Sequence, residues 1–243
     1  MSAPGRWGRV ALLACALLAL QGCASVAASD PRDPWEGVNR KVYRFNERVD
    51  EAVVRPVAQA YVDVLPSFVR TGVRNFMGNL GDVWSTVNAG LQLKGQAAVE
   101  GFMRVAINTT FGLYGVLDIA SEAGLPKRKE DLGQTLGHWG VKPGPYMVLP
   151  LLGPSTLRDT AALPVDMQAS PSQYFSDSDS RIGVTALRAV DTRAGLLQAG
   201  EALKAAALDP YSFVRDAWLQ KRQYDVHDGN PPVEFDYTDP DAP

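Results

Sequence analysis

Cys23 is the residue whose neighbours specify a chemistry most closely. It closes the run Leu20-Gln21-Gly22-Cys23, with a bulky apolar residue three before the cysteine and a small residue just before it. That is the pattern of a lipobox. The thiol takes a diacylglyceryl group, and cleavage after Gly22 frees an amine for a third acyl chain. Gln21 is a less usual occupant of its position. The competing expectation is an ordinary secretory cut at a small-x-small site within Ala24 to Ala28.

Other side chains offer little for catalysis. The chain has two histidines, His138 and His227, and neither falls in H-E-x-x-H or another metal-ligand spacing. His138 lies between glycines in GHWG, where a packed imidazole is expected rather than a base. No nucleophile elbow, P-loop or dinucleotide fingerprint is present. Ser155 follows Gly153-Pro154 and reads as a helix cap. Arg158-Asp159 and the Asp131, Gln134 pair read equally as structural ion pairs and caps. Lys127-Arg128-Lys129 runs directly into Glu130-Asp131, as a solvated loop would. No enzyme, cofactor or metal is expected.

The elements before Cys23 have the order of a signal peptide over 1–22. Arg6 and Arg9 give a positive start, and Val10 to Leu20 is an apolar run, too short for the roughly 20 residues that span a bilayer. Of the two cysteines, Cys15 lies in this discarded run, so the mature chain cannot form an internal disulfide. Losing Arg6 and Arg9 and no acid takes the formal charge from −3 to −5. That sign argues against nucleic acid and against a broad basic face for anionic membranes. Acyl chains make such a face unnecessary, because each buried methylene contributes about 0.8 kcal/mol.

Residues 23–32 read as a lipidated tether, reaching at most about 30 Å. A helical domain is expected over 33–227, and the acidic, proline-containing segment 228–243 as disordered. Asp33, Pro34 and Glu36 offer an N-cap, a first helical position and a capping box. Trp35, Val38, Val42, Phe45, Val49 and Val53 then share one helical stripe. Asn39 and Asn46 lie near it, as buried amides that bond backbone would. Further helices are expected around 57–64, from Pro66 to an interruption at Gly78 and Gly81, and over 82–93, 96–110, 131–138, 155–162, 180–207 and 210–227. Lys142-Pro143-Gly144-Pro145 suggests a turn at the tip of a small β-hairpin near 140–150. No mature segment has 18 consecutive apolar residues. The fold class is all-α, a single domain of short amphipathic helices.

Read together, several words resemble the MlaA (VacJ) family of outer-membrane lipoproteins. They are DPWEGVNRKVYRFN at 33–46, NFMGNL at 75–80, RVAINTTFGLYGVLDIA at 104–120, and EDLGQTLGHWGVKPGPYMVLPLLGPSTLRD at 130–159, with DTRAGLL and DPYSFVRDAW downstream. Any one is weak alone; their number and order make the match specific over about 33–225. The resemblance implies a ring of in-plane helices in the outer membrane around an amphipathic channel, facing the periplasm. It implies removal of mislocalised phospholipids from the outer leaflet, hand-off to a soluble periplasmic carrier, and association with a trimeric porin. Ala24 after the cysteine, not the aspartate of inner-membrane retention, agrees with that sorting. The rival is a scaffold that binds porins without moving lipid.

On the same resemblance, Asn75 and Phe76, in an easily kinked helix, and the turn Pro143, Gly144, Pro145 and Tyr146 are candidates to line or gate the channel, or else to serve packing. Arg193 and Lys204 are separate candidates. They fall inside the apolar stripe of the expected 180–207 helix, 11 residues or about 16 Å apart. Each is either paired (Arg193 with Asp118 or Asp159) or extended to water, or lines the channel and meets phosphodiester groups.

Overall fold

The computed structural model describes residues 30–232. The expected signal peptide, Cys23, most of the tether and residues 233–243 of the acidic tail lie outside the described residues.

Helix α1 (Glu36–Val49) runs into a π-helical turn (Asp50–Val54) and then α2 (Arg55–Val64). Pro56, in the first turn of α2, has no N–H to donate, and the π turn before it closes with Arg55 N donating to Asp50 O. Leu65 is extended because Pro66 follows it, so α2 must end there. Helix α3 (Ser67–Leu91) is 25 residues long, about 37 Å. A three-residue turn with Leu93 at φ 59° returns the chain into α4 (Gly95–Thr110). Gly101 lets the two helices close: a Cβ there would meet Thr86 Oγ1 at 2.5 Å. Next come α5 (Ile119–Glu122), α6 (Leu132–His138), β1 (Tyr146–Leu149), β2 (Gly153–Thr156), α7 (Leu157–Gln168) and a 3-10 turn (Pro171–Tyr174). Helices α8 (Ser178–Gly195), α9 (Leu197–Ala206) and α10 (Pro210–Val226) close the chain. Side chains of Asp118, Asp131, Thr156, Asp177 and Asp209 cap α5, α6, α7, α8 and α10.

The all-α reading holds, with one small antiparallel sheet among the described residues. Several boundaries differ. Gly78 and Gly81 do not interrupt α3. The 180–207 helix is two helices that break at Leu196. Helix α7 continues past Pro164 to Gln168. The hairpin tip is Pro150 to Leu152, with Leu151 at φ 63°, and Lys142 to Pro145 lies before β1. Asp228, expected at the start of disorder, forms a turn and pairs with Lys94 Nζ at 2.5 Å.

Asp33 does not cap α1, which starts from Trp35. Its carboxylate is instead fully buried. It accepts from Asn39 Nδ2 at 2.7 Å and from the Tyr211 hydroxyl. Asn39 also donates to Tyr146 O at 3.1 Å and accepts from Val148 N at 2.9 Å. Two helical turns on, Asn46 donates to Leu149 O at 2.9 Å and accepts from Leu151 N at 2.8 Å. The two amides thus stand in for a third strand along β1. Asn39→Ala leaves buried groups of Tyr146, Val148 and Asp33 short of partners. It should cost about 2–4 kcal/mol, read from the denaturation midpoint in detergent; an unchanged midpoint would refute this role.

Packing is inverted relative to a water-soluble bundle. More polar and charged residues than apolar ones are buried, including Arg104 at 1% exposure and Asn88 at 0%. Among the described residues the buried apolar cluster is Tyr146, Val148 and Tyr211, against Val42, Tyr43, Trp218 and Leu219. Meanwhile Trp35, Val38, Phe45 and Val53 of the α1 stripe, Phe68 of α3 and Phe102 of α4 are exposed. None of the described helices is long and apolar enough to cross a membrane.

Candidate functional site

The polar sides of these helices line a partly open cavity of about 500 Å³, within the range of small-molecule sites. Helix α3 supplies its longest wall. Arg74-Asn75, Met77-Gly78, Gly81-Asp82 and Trp84-Ser85 all line it, a spacing that keeps them on one helical face. Gly78 opens that face: a Cβ there would lie 2.4 Å from Lys127 Nζ, so glycine lets the lysine cross the helix. Helix α8 brings Arg188, Asp191 and Thr192, again on one face. The end of α7 brings Asp166, and the loop before α6 brings Lys127, Lys129, Glu130 and Asp131. A second, more open concavity of about 520 Å³ shares Lys127, Lys129 and Asp131 and continues to Lys221 and Arg222 of α10. The polar surface therefore extends from the interior to α10.

The wall is built on ion pairs. Arg104 lies behind it, donating from Nη2 to both oxygens of Asp118 at 2.9 and 3.1 Å and from Nη1 to Leu125 O at 2.6 Å. Its Nε is 3.5 Å from Asp82, which Lys127 also reaches at 3.5 Å. Burial tends to raise the Asp118 carboxyl. Hydrogen bonds from Ser121 and Asn108 and the charge of Arg104 overcome this and hold it at about 2. For Asp82, burial wins over Lys127 and Arg104, and its pKa is raised. Asp131 and Asp159 share Arg222, at 2.6 and 2.9 Å; it outweighs their burial and lowers both. Glu130 accepts from Gln92 at 2.9 Å, yet burial raises it. Asp166 is also raised by burial.

Asn75 lines the cavity and donates to Val116 O at 3.1 Å, whereas Phe76 is half-buried and is not part of the wall. Pro143, Gly144, Pro145 and Tyr146 lie away from the cavity. Pro143 O and Pro145 O accept from Arg158 N and Leu157 N at 3.0 Å each, Gly144 takes φ 68°, and Tyr146 is fully buried in the apolar cluster. This irregular segment, not a turn, braces the start of α7.

Arg193 and Lys204 do not line the cavity either. Arg193 grips Asp50 of the π turn through two bonds of 2.6 and 2.7 Å, while its expected partners Asp118 and Asp159 are held by Arg104, Arg158 and Arg222. Lys204 reaches Glu51 at 2.6 Å and Glu47 at 3.6 Å. Cys23 lies outside the described residues. Among the described residues no group of three or more His, Cys, Asp or Glu could hold a metal ion. Sequence reasoning missed Arg188, Asp166 and Asp82. The available signal was the polar side of each helix, which in an inverted fold faces the interior.

The model of the MlaA lipoprotein family matches residues 31–225. The Escherichia coli intermembrane phospholipid transport system lipoprotein MlaA is 36% identical over 229 residues, covering 91% of this chain and 90% of that protein. Its Haemophilus influenzae counterpart is 32% identical, covering 87% and 88%. An uncharacterized Rickettsia felis protein is 35% identical, covering 80% and 78%. A structure solved for the structural basis for maintenance of bacterial outer membrane lipid asymmetry superposes with a TM-score of 0.71 at 35% identity, covering 80% of this chain and 98% of that one. The interior ion pairs, the apolar exterior and these matches agree, and the chain belongs to the MlaA lipoprotein family.

Proposed function

We propose that this chain removes mislocalised phospholipid from the outer leaflet of the outer membrane through its polar cavity and passes it to a soluble periplasmic carrier. In this reading acyl chains on Cys23 anchor it, its helices lie in the membrane plane facing the periplasm, and a trimeric porin holds it there. It performs no covalent chemistry. The observation that carries the reading is the inversion: an apolar exterior on Phe45, Phe68 and Phe102, and a charged cavity of about 500 Å³ inside. Such an exterior suits lipid tails, and such an interior suits a headgroup that must cross hydrocarbon without meeting it. The names of the Escherichia coli and Haemophilus influenzae relatives support the substrate class.

Two measurements test it. Cells lacking the protein should show more phospholipid at the cell surface, and the purified lipoprotein should carry phospholipid in mild detergent. A porin-binding scaffold would do neither, and that result would overturn the proposal. Cys23→Ala should abolish incorporation of labelled fatty acid and block signal removal after Gly22. A variant that still takes label would overturn the anchor.

A further inference from the structure

Four cations and six carboxylates line the cavity. Most cancel within the protein. Arg74 reaches Asp191 at 3.6 Å and Lys127 reaches Asp82 at 3.5 Å. Asp118 is held by Arg104, Glu130 by Lys94 and Asp131 by Arg222. Lys129, exposed on the loop before α6, has no carboxylate partner among the described residues; among the groups set on helices, two of opposite sign also stand unpaired.

The first is Arg188. It has no carboxylate partner among the described residues and is open to the cavity, although surrounding protein desolvates it and lowers its pKa. A guanidinium has five donors, and nothing in the wall uses them. The second is Asp166. Of the six lining carboxylates it alone lacks a cation at ion-pair distance among the described residues. Trp84 Nε1 donates to its Oδ1 at 2.7 Å and Leu132 N at 2.9 Å, so its second oxygen is left for whatever enters. Neither group is explained by packing, since each would be better stabilised by a partner that the fold does not give it.

We infer that this cavity selects phospholipids with a zwitterionic phosphoethanolamine headgroup, Arg188 receiving the phosphate and Asp166 the primary ammonium. The inference rests on the transport reading and adds the substrate class to it. A guanidinium grips a phosphodiester by paired hydrogen bonds, and a carboxylate with a free oxygen takes an ammonium by a charge-assisted one. A net-anionic headgroup such as phosphoglycerol satisfies Arg188 alone. It offers Asp166 only hydroxyls, inside a wall where carboxylates outnumber cations by six to four.

The test uses the full lipoprotein, incubated in mixed micelles of phosphatidylethanolamine and phosphatidylglycerol in equal amounts, with retained lipid quantified by mass spectrometry. The wild type should retain the ethanolamine lipid about five-fold over the glycerol lipid, a difference of about 1 kcal/mol. Asp166→Asn keeps an oxygen for Trp84 and Leu132 and should bring that ratio close to one. Arg188→Ala should lower both lipids together, roughly ten-fold. Inorganic phosphate in excess should not displace the lipid; displacement would mean a simple anion site and overturn the two-point reading. Lipid retained at the micelle's own ratio would overturn headgroup selection while leaving transport intact, and no retained lipid at all would overturn transport as well. Should Asp166→Asn fail to fold, Arg188→Glu, at a position open to the cavity, keeps the claim testable: undiminished retention there would overturn it.

Discussion

Arg104→Ala is expected to destabilise the protein by about 3–5 kcal/mol, because it removes a buried cation shared by two carboxylates of the cavity wall. Arg104 is 1% exposed and ties Asp118 on the α5 cap, Asp82 on α3 and Leu125 O in the following loop to α4. Its removal leaves Asp82, already costly to ionise, with Lys127 as its remaining cation at 3.5 Å. The pH dependence gives a second signature. Asp118 is held at about 2 against its ordinary 3.8, so its contribution is present above pH 3.8 and is lost as pH falls toward 2. A shift of that size corresponds to about 2 kcal/mol, and part of that acid-side loss should disappear in the variant, because Ser121 and Asn108 still bond Asp118. Urea or thermal denaturation in detergent at pH 7 and pH 3 measures both effects. A loss below about 1 kcal/mol at pH 7 would mean that the network is not what holds α4, α5 and the loop together.

Much of this architecture is legible in the sequence, and what is not has one physical cause. The stripe from Trp35 to Val53 identifies α1, and the amides Asn39 and Asn46 bond backbone of the neighbouring hairpin. The resemblance carried by the words from 33 to 159 leads to the family. Periodicity, however, gives only the two sides of a helix and not which one faces water. In a soluble bundle the apolar side is inside, so a cation inside the apolar stripe, such as Arg193, draws attention as an anomaly. Here the polar side is inside. Arg193 and Lys204 pair with Asp50 and Glu51 across the join of α1 and α2, and the helical cation that lines the cavity without a carboxylate partner among the described residues is Arg188, on the side that periodicity assigns to solvent. Gly78 and Gly81 mislead for a related reason. Gly78 marks where Lys127 needs room beside α3, and Gly81 lines the cavity; neither marks where the helix ends. The prolines and glycine of Pro143 to Tyr146 suggest a turn, but the segment runs irregularly into β1 with a bend at Pro145, and its bonds to Leu157 and Arg158 depend on contacts that local sequence does not encode.

The inversion itself makes the sharpest prediction, through Phe68 on α3 and Phe102 on α4, which are 75% and 64% exposed. In a protein surrounded by water, replacing exposed phenylalanine by aspartate changes stability by no more than about 0.5 kcal/mol and improves solubility. In a protein seated in a bilayer, an aspartate facing the hydrocarbon core costs roughly 2.5–3.5 kcal/mol. The two positions lie on different helices, and independent costs add. The double variant Phe68→Asp, Phe102→Asp should then lose about 5–7 kcal/mol of membrane affinity, roughly four orders of magnitude in partitioning. The acyl anchor would mask this, so the measurement is vesicle flotation of the body produced without Cys23. The unaltered body should float with the vesicles and need detergent to stay monodisperse, and the double variant should remain at the bottom of the gradient while keeping its helical circular dichroism. Equal flotation of the two would place both phenylalanines outside the hydrocarbon, and a detergent-free monomeric body would remove the bilayer as the solvent of this exterior.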